Sequence, residues 1–576
     1  EQALKSFSLA PGFTIELLAA EPLVEDPVAI TWDEQGDLYV VEMRGFMPDA
    51  WGRGADEPVG AVVRLADTDG DGLPDQRQVL MSGLVLPRAV AIVNEGMLVA
   101  EPPHLWLCPG KPGTDEDIDC SKRVSLGEYG NQPGSVEHAE NGLLLTLDNW
   151  LYSAKSNRRL KIVNGALLEE PTLFRGQWGI TQDSKGHLYY NTNSNLLLGD
   201  LYDAQPVIEA GNSAAPGLNV AVSRGDQVFA VRVNPGVNRA YVPGVLRADG
   251  RLDKPTSASG MVVYRGGAFP DGQRDVYVAE PAANVVVQLR LNAEGLAAST
   301  EHVLYDDERW GEREFLASTD ERFRPVDVTV GPDGALYVVD MYRGIIQDQV
   351  FLTDELRNQA LERGLDKPLG MGRIWRVSAG SGTDLAAGLP VPVEAAALME
   401  LLGHANGWQR DTAQRLLLAN TSEGVDQALA DLVAEGDELA ALHALWTLEG
   451  RTSLSRRDVL SALERKDPGL RTNALRAGHG LLAQQDLLQL THDVDEAVAH
   501  HAVLYLARHN DAEPVRQRLA EVLEEQAGSA IRTAGVQAAL RGSELEFLEH
   551  LVEEGRWDEG RLEFVSTLVA QAFRAE

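Results

Sequence analysis

Between residues 27 and 340 the chain alternates apolar and polar positions in short runs, and one local pattern keeps returning. It is an apolar pair, a turn with Asp or Gly, then Leu/Val-Tyr-Val, then an acidic residue or an amide. The clearest copy runs Pro27-Val28-Ala29-Ile30 through Asp33-Glu34-Gln35-Gly36-Asp37-Leu38-Tyr39-Val40 to Glu42. A second runs Pro325-Val326-Asp327-Val328 through Asp333-Gly334 and Leu336-Tyr337-Val338 to Asp340, and a third runs Trp178-Gly179-Ile180-Thr181 to Asn191. Weaker copies start at Val90, Gly142 and Met261. Strict alternation around a Gly/Asp turn reads as a hairpin with one apolar face. Six such units, most with no helical stretch between them, predict a six-bladed β-propeller over residues 1–380, with a large double-sheet sandwich as the alternative. Irregular spacing between copies requires long inserted loops, and the loops at one end of a propeller are where a site is built.

Near residue 390 the period changes from two to the helical repeat. Leu398, Leu401 and Leu402, then Ala413, Leu416, Leu417 and Leu418, define two apolar helix faces. Further helices are expected near 425–434, 438–449, 456–465, 470–478, 496–508, 512–526, 530–541, 544–554 and 559–574. Elements of this length with short loops suit stacked pairs, a HEAT-like α-solenoid over 390–576, or simply a helical cap on one edge of the propeller. The stretch Ser378-Ala379-Gly380-Ser381-Gly382-Thr383 reads as the start of a linker.

Composition narrows the partners. The 576 residues carry a net charge of −36, of which −22 precedes residue 391 and −14 follows it. Such a surface repels phosphate backbones and anionic membranes, so nucleic acid is excluded as a partner. No apolar run approaches the roughly 18 residues of a membrane-spanning helix. The opening Glu1-Gln2-Ala3 fits a cytosolic chain or a mature secreted one whose signal was removed. Cys108 and Cys120, the two cysteines, lie in a Gly/Pro/Asp-rich loop and form either a disulfide or two unrelated buried thiols. A bridge would imply an oxidising compartment.

Three groups of residues could carry chemistry. In Asp67-Thr68-Asp69-Gly70-Asp71-Gly72-Leu73-Pro74-Asp75, carboxylates at alternate positions with intervening glycines suit a hard cation such as Ca²⁺. Asp67, Asp69, Asp71 and Asp75 are therefore candidate ligands in a structural clamp, and a metal-free Asp/Gly turn is the alternative. His138 precedes a blade strand in Glu137-His138-Ala139-Glu140-Asn141-Gly142, where a neutral imidazole can serve as general base. Arg44, Arg175, Arg239 and Arg343 occupy strand-end positions of the repeats and could converge on the propeller axis as an anion site. Asp148, Asn149 and Trp150 lie at another blade turn. No nucleophile elbow, zinc-protease, phosphate-loop or dinucleotide motif is present.

Several of these stretches, taken in order, resemble a known family. They are Pro11-Gly12-Phe13, Val41-Glu42-Met43-Arg44-Gly45, the Asp67–Asp75 loop, His138-Ala139-Glu140-Asn141-Gly142, Asn234-Pro235-Gly236-Val237-Asn238-Arg239 and Asp340-Met341-Tyr342-Arg343-Gly344. This set is similar to the environmental-bacterial membrane-bound-dehydrogenase propellers related to glucose/sorbosone dehydrogenases. The resemblance extends to the helical module, through Gly407-Trp408-Gln409-Arg410-Asp411-Thr412-Ala413. It implies oxidation of a sugar or alcohol by pyrroloquinoline quinone (PQQ) with Ca²⁺, in the periplasm or outside the cell. His138 would take the hydroxyl proton and Arg175 would stabilise developing charge. Arg44, Arg239, Arg343, Asn141 and Trp178 would hold the cofactor. The chain reads Arg175-Gly176-Gln177-Trp178-Gly179 where the family has Arg-Asn-Pro-Gln-Gly, and the basic strand that grips the quinone carboxylates has no counterpart in 279–285. With no CxxCH in the chain, electrons would pass to a separate c-type cytochrome or to such a domain beyond Glu576. The alternatives are a glycan- or protein-binding module without turnover, and a Ca²⁺-dependent polysaccharide lyase or hydrolase.

Overall fold

The computed structural model describes residues 3–111, 117–130, 138–163, 165–234, 242–270, 274–380, 389–525 and 528–572. Six antiparallel sheets stand around an axis. Their innermost strands are Pro27–Trp32, Ala89–Val93, Asn141–Leu145, Ile180–Gln182, Met261–Val263 and Pro325–Val330. Each coincides with one of the six sequence repeats, so the fold is the six-bladed propeller that the alternation predicts. The sixth sheet is completed by the N-terminal strand Phe13–Ala20, which pairs antiparallel with Arg373–Ala379. Phe7–Leu9 pairs with Leu316–Ser318 at the edge of the fifth sheet. The ring is thus closed by residues from both ends of the propeller.

Two polar positions of the repeat have structural duties. In five of the six blades an acid or amide at the end of the second strand accepts backbone N–H groups from the segment entering the blade; the third blade has Ala154 there. Glu42 accepts from Glu25 N, Glu101 from Val85 N and Asn191 from Gly179 N. Glu280 accepts from Thr256 N and Ser257 N, and Asp340 from Arg324 N. A buried acceptor satisfied in this way fixes the entry of these five blades. The turn aspartate at the other end is gripped by the repeat's tyrosine, Tyr39 to Asp33 and Tyr152 to Asp148 at 2.8 and 3.0 Å.

Helices run from Ala395–Leu401 to Glu559–Ala572 in successive pairs, consistent with an α-solenoid. Gln484–Leu490, within this run, and Asp354–Glu362, within the sixth blade, are helices that the apolar period did not predict. The expected linker overlaps the strand Arg373–Ala379, and its remainder at 381–388 lies outside the described residues.

The helical run docks on the blade turns. Asn406 Nδ2 donates to the carbonyls of Gly331 and Pro332, and Gln414 Nε2 to Leu147 O and Asn149 Oδ1. Arg415 meets Glu34 at 2.7 Å, and Tyr505 donates to Asp203 at 2.8 Å. These contacts bind the first, third, fourth and sixth blades to one surface. Cys108 and Cys120 form a disulfide beside the second blade. Among the described residues no helix is long and apolar enough to cross a membrane.

Candidate active site

A cavity of about 810 Å³ occupies the propeller axis. Its walls are the innermost strands, and they are mostly apolar: Ile30, Ile92, Leu143, Ile180, Val263 and Val328 recur around the ring. One end is closed by the helix Gly407–Ala419, whose Trp408, Asp411, Thr412 and Arg415 reach the cavity. The other end is framed by the blade-entry segments. His138, Trp178 and Asn193 stand there, with Phe46 from the first blade and Gln347 and Phe351 from the long insertion of the sixth.

His138 is held from two sides. The Phe351 ring lies 5.2 Å away, and Gln177 Nε2 lies 3.1 Å from His138 Nε2. Asn193 N donates to Gln177 Oε1, which turns the amide N–H toward the imidazole. With that orientation Nε2 of His138 accepts and Nδ1 carries the proton. Burial pulls the His138 pKa below its ordinary value, with Lys155 adding to the effect and Asp348 opposing it. The ring is therefore neutral at pH 7, as a general base requires. Asn141 lines the cavity but spends its amide on Ala139 O and Gln177 O, so it positions the His138 loop. Trp178 also lines the cavity and donates to Asn193 at 2.6 Å.

The expected arginine cluster does not form. Arg175 is buried between blades, with Nε 2.7 Å from Asp200 and Nη1 on Thr172 Oγ1 and Leu173 O. Arg343 is buried against Asp26 at 2.6 Å and donates to Met47 O and Arg44 O. Arg44 pairs with Glu42 and with Glu25, the latter at 3.3 Å. None of the three lines the cavity. Each lies within two or so residues of an acidic blade-entry group or opposite one across a blade, and takes that carboxylate as its partner. Arg239 lies outside the described residues.

The cavity has other arginines, which the repeat positions did not single out: Arg88, Arg265 and Arg415. Arg265 is matched by Asp411 at 2.6 Å and Arg415 by Glu34. Burial holds Arg88 down at about 10. A tricarboxylate quinone needs several uncommitted cations around it, and this set does not fit PQQ as the resemblance implied. One further titratable group was also missed, Asp327 on the inner strand of the sixth blade. Its signal was a lone carboxyl inside the apolar run Val326-Asp327-Val328.

The aspartate loop lies elsewhere. It joins the two outer strands of the first blade, Gly60–Ala66 and Gln76–Leu84, and none of its residues lines the cavity. Asp67, Asp69 and Asp71 are exposed and bring carboxylate oxygens within 4.8 Å of one another. Asp75 is not in that group; it accepts from Thr68 Oγ1 at 2.8 Å and closes the loop. A cation here would clamp the rim and could not polarise a group bound on the axis.

Solved propellers are similar to this chain at low identity. A Trichoderma reesei carbohydrate-active enzyme of family AA12, in a calcium structure, is 14% identical, with 65% of this chain and 97% of that chain covered and a TM-score of 0.36. The soluble aldose sugar dehydrogenase of Escherichia coli, in its apo form, is 14% identical over 64% and 99%, with a TM-score of 0.32. A catalytically inactive variant of virginiamycin B lyase from Staphylococcus aureus, with quinupristin, is 12% identical over 64% and 99%, with a TM-score of 0.31. No curated protein matches the sequence. One family does: residues 1–381, the whole propeller, match the domain of unknown function DUF7133, and the chain belongs to that family.

Proposed function

We propose that the axial cavity is the active site of a dehydrogenase that takes a hydroxyl of a sugar or small alcohol at its His138 end. The observation that carries this reading is the neutral, amide-oriented imidazole of His138 at the open end of a cavity closed at its far end. Apolar walls with a few convergent polar groups are the usual lining of a small-molecule site. A substrate hydroxyl that displaces Gln177 from His138 Nε2 would find the lone pair that accepts its proton. Phe351 packs against the ring, and Asn141, bonded to Ala139 O and Gln177 O, keeps the His138 loop in place.

The lining does not fit PQQ, so the hydride acceptor in this reading is a redox group without its three carboxylates, and onward transfer goes to a c-type cytochrome. Arg44, Arg175 and Arg343 are assigned no part in holding it. Ca²⁺ is proposed at Asp67, Asp69 and Asp71 as a rim clamp, outside the reaction. A periplasmic or secreted location is proposed with it, supported by the Cys108–Cys120 bridge. The helical run is proposed to be HEAT-like.

The test is dye reduction by purified protein with aldoses, polyols and primary alcohols, with and without added PQQ and Ca²⁺. Substrate-dependent reduction is expected. No reduction with any substrate, together with acceptor-independent release of unsaturated product from a polysaccharide, would replace this reading with that of a lyase.

A further inference from the structure

The carboxyl of Asp327 has no counterpart among the other groups that line the cavity. Asp411 is answered by Arg265, and Arg415 by Glu34. Among the described residues Asp327 has no ion pair, and the hydrogen bond its carboxyl receives is from the adjoining Val328 N–H at 2.9 Å. Half-buried among apolar strands, it lines the cavity and retains acceptor capacity.

The fold does not need an acid here. The first and sixth blades carry the same register shift on their inner strands, after Pro27 and after Pro325. In that alignment Asp327 corresponds to Ala29, which also lines the cavity. A methyl group therefore serves the same backbone position one blade away. Gly260, just ahead of the inner strand of the fifth blade, lies against Asp327: a Cβ there would stand 2.1 Å from Asp327 Oδ1 and 2.5 Å from Asp327 Cα. Gly260 has no left-handed backbone, and the close approach of the two chain segments accounts for the glycine.

We propose that Asp327 is the ligand-anchoring carboxyl of the axial cavity, accepting a hydrogen bond from a second hydroxyl of a polyhydroxylated ligand whose reacting hydroxyl faces His138. The assignment rests on the reading of the cavity as a sugar or alcohol site and narrows it to ligands with at least two hydroxyls. A burial-raised pKa of about 7 supports it, since the carboxyl would then share a proton readily with a hydroxyl. Asp327 touches the ligand in this scheme but takes no proton in the reaction. A half-buried, uncompensated carboxyl costs stability and persists where function uses it.

The test uses the full chain, Asp327→Asn and Asp327→Ala, with D-glucose, D-xylose and glycerol as calorimetric probes and melting temperature as a second readout. Wild type is expected to bind at least one probe. Both variants are expected to weaken that binding by about tenfold to a hundredfold, as for loss of a hydrogen bond to a charged group. Their melting temperatures are expected to equal or exceed that of wild type, an outcome a structural carboxyl would not give. Unchanged binding in Asp327→Asn, a lowered melting temperature in Asp327→Ala, or no probe bound by wild type would each overturn the proposal. Failure of the dehydrogenase reading looks different: wild type binds without turnover, and the variants still lose binding.

Discussion

Replacing Arg175 separates a structural arginine from a chemical one. Its guanidinium is buried with Asp200, both side chains 5% exposed, and also satisfies Thr172 Oγ1 and Leu173 O. Arg175→Met keeps most of the volume and removes the charge, leaving Asp200 buried without a cation. Breaking a buried pair in this way costs about 3–5 kcal/mol. Asp200 keeps two donors, Tyr190 Oη at 2.8 Å and Asn219 N at 2.9 Å, which places the cost near the lower end, about 3 kcal/mol. For a unit the size of this propeller, the melting temperature should fall by roughly 4 °C. Calorimetric scans of wild type, Arg175→Met and Arg175→Met/Asp200→Asn measure it. The double variant should recover part of the loss, because the uncompensated carboxylate is gone. Turnover at 25 °C, per folded molecule, should be unaltered. A variant that melts with wild type yet loses turnover would refute the structural assignment and return Arg175 to the chemistry.

The junction between propeller and helices should be acid-sensitive. Burial pushes His443 down to about 3 while it accepts from Arg410 Nε and pairs through Nδ1 with Gln414. Below pH 6.5 the unfolded chain takes a proton that the folded one refuses, so stability drops by up to about 1.4 kcal/mol per pH unit on the way to the folded pKa. Scans from pH 6.5 to 4 should show a falling melting temperature, with a shallower slope in His443→Gln; equal slopes would contradict this. Asp26, Asp33 and Asp340, raised to about 6 by burial, act in the opposite direction but are common to both proteins. Reduction of Cys108–Cys120, which closes a 12-residue separation, should cost about 3 kcal/mol, read as a lower midpoint in urea with dithiothreitol. An unchanged midpoint would show that the bridge adds nothing to the fold.

The propeller was legible because each blade repeats a hairpin, and in five of the six its repeat-ending polar position does the same work. Glu42, Glu101, Asn191, Glu280 and Asp340 stood out as repeat-ending residues before their backbone partners were visible. The helical run was legible from its apolar period, except at Gln484–Leu490, a seven-residue helix with a single fully buried side chain, Leu487. The site was legible only in part. His138 sits at the cavity mouth because it precedes an inner strand, and that order is visible in sequence. The arginines were placed at the axis by analogy between repeats. Yet Arg44 follows Glu42 by two residues and Arg343 reaches Asp26 across the ring closure, and a local carboxylate outcompetes a distant axis. Asp327 went unmarked because its lack of a partner is a property of three-dimensional packing. The closure of the cavity by Trp408 and Arg415 depends on how two repeat systems dock, which neither periodicity encodes.

The central claim is that His138 takes a proton from a hydroxyl bound in the axial cavity, and turnover of His138→Ala beside wild type tests it most directly. On the substrate that gives the highest dye reduction, the variant should lose about 10²–10⁴-fold in kcat with its melting temperature intact. The wild-type rate should fall as pH drops through a value below the ordinary histidine pKa, in keeping with the burial of the ring. Undiminished turnover in His138→Ala, with the same pH profile as wild type, would contradict the account.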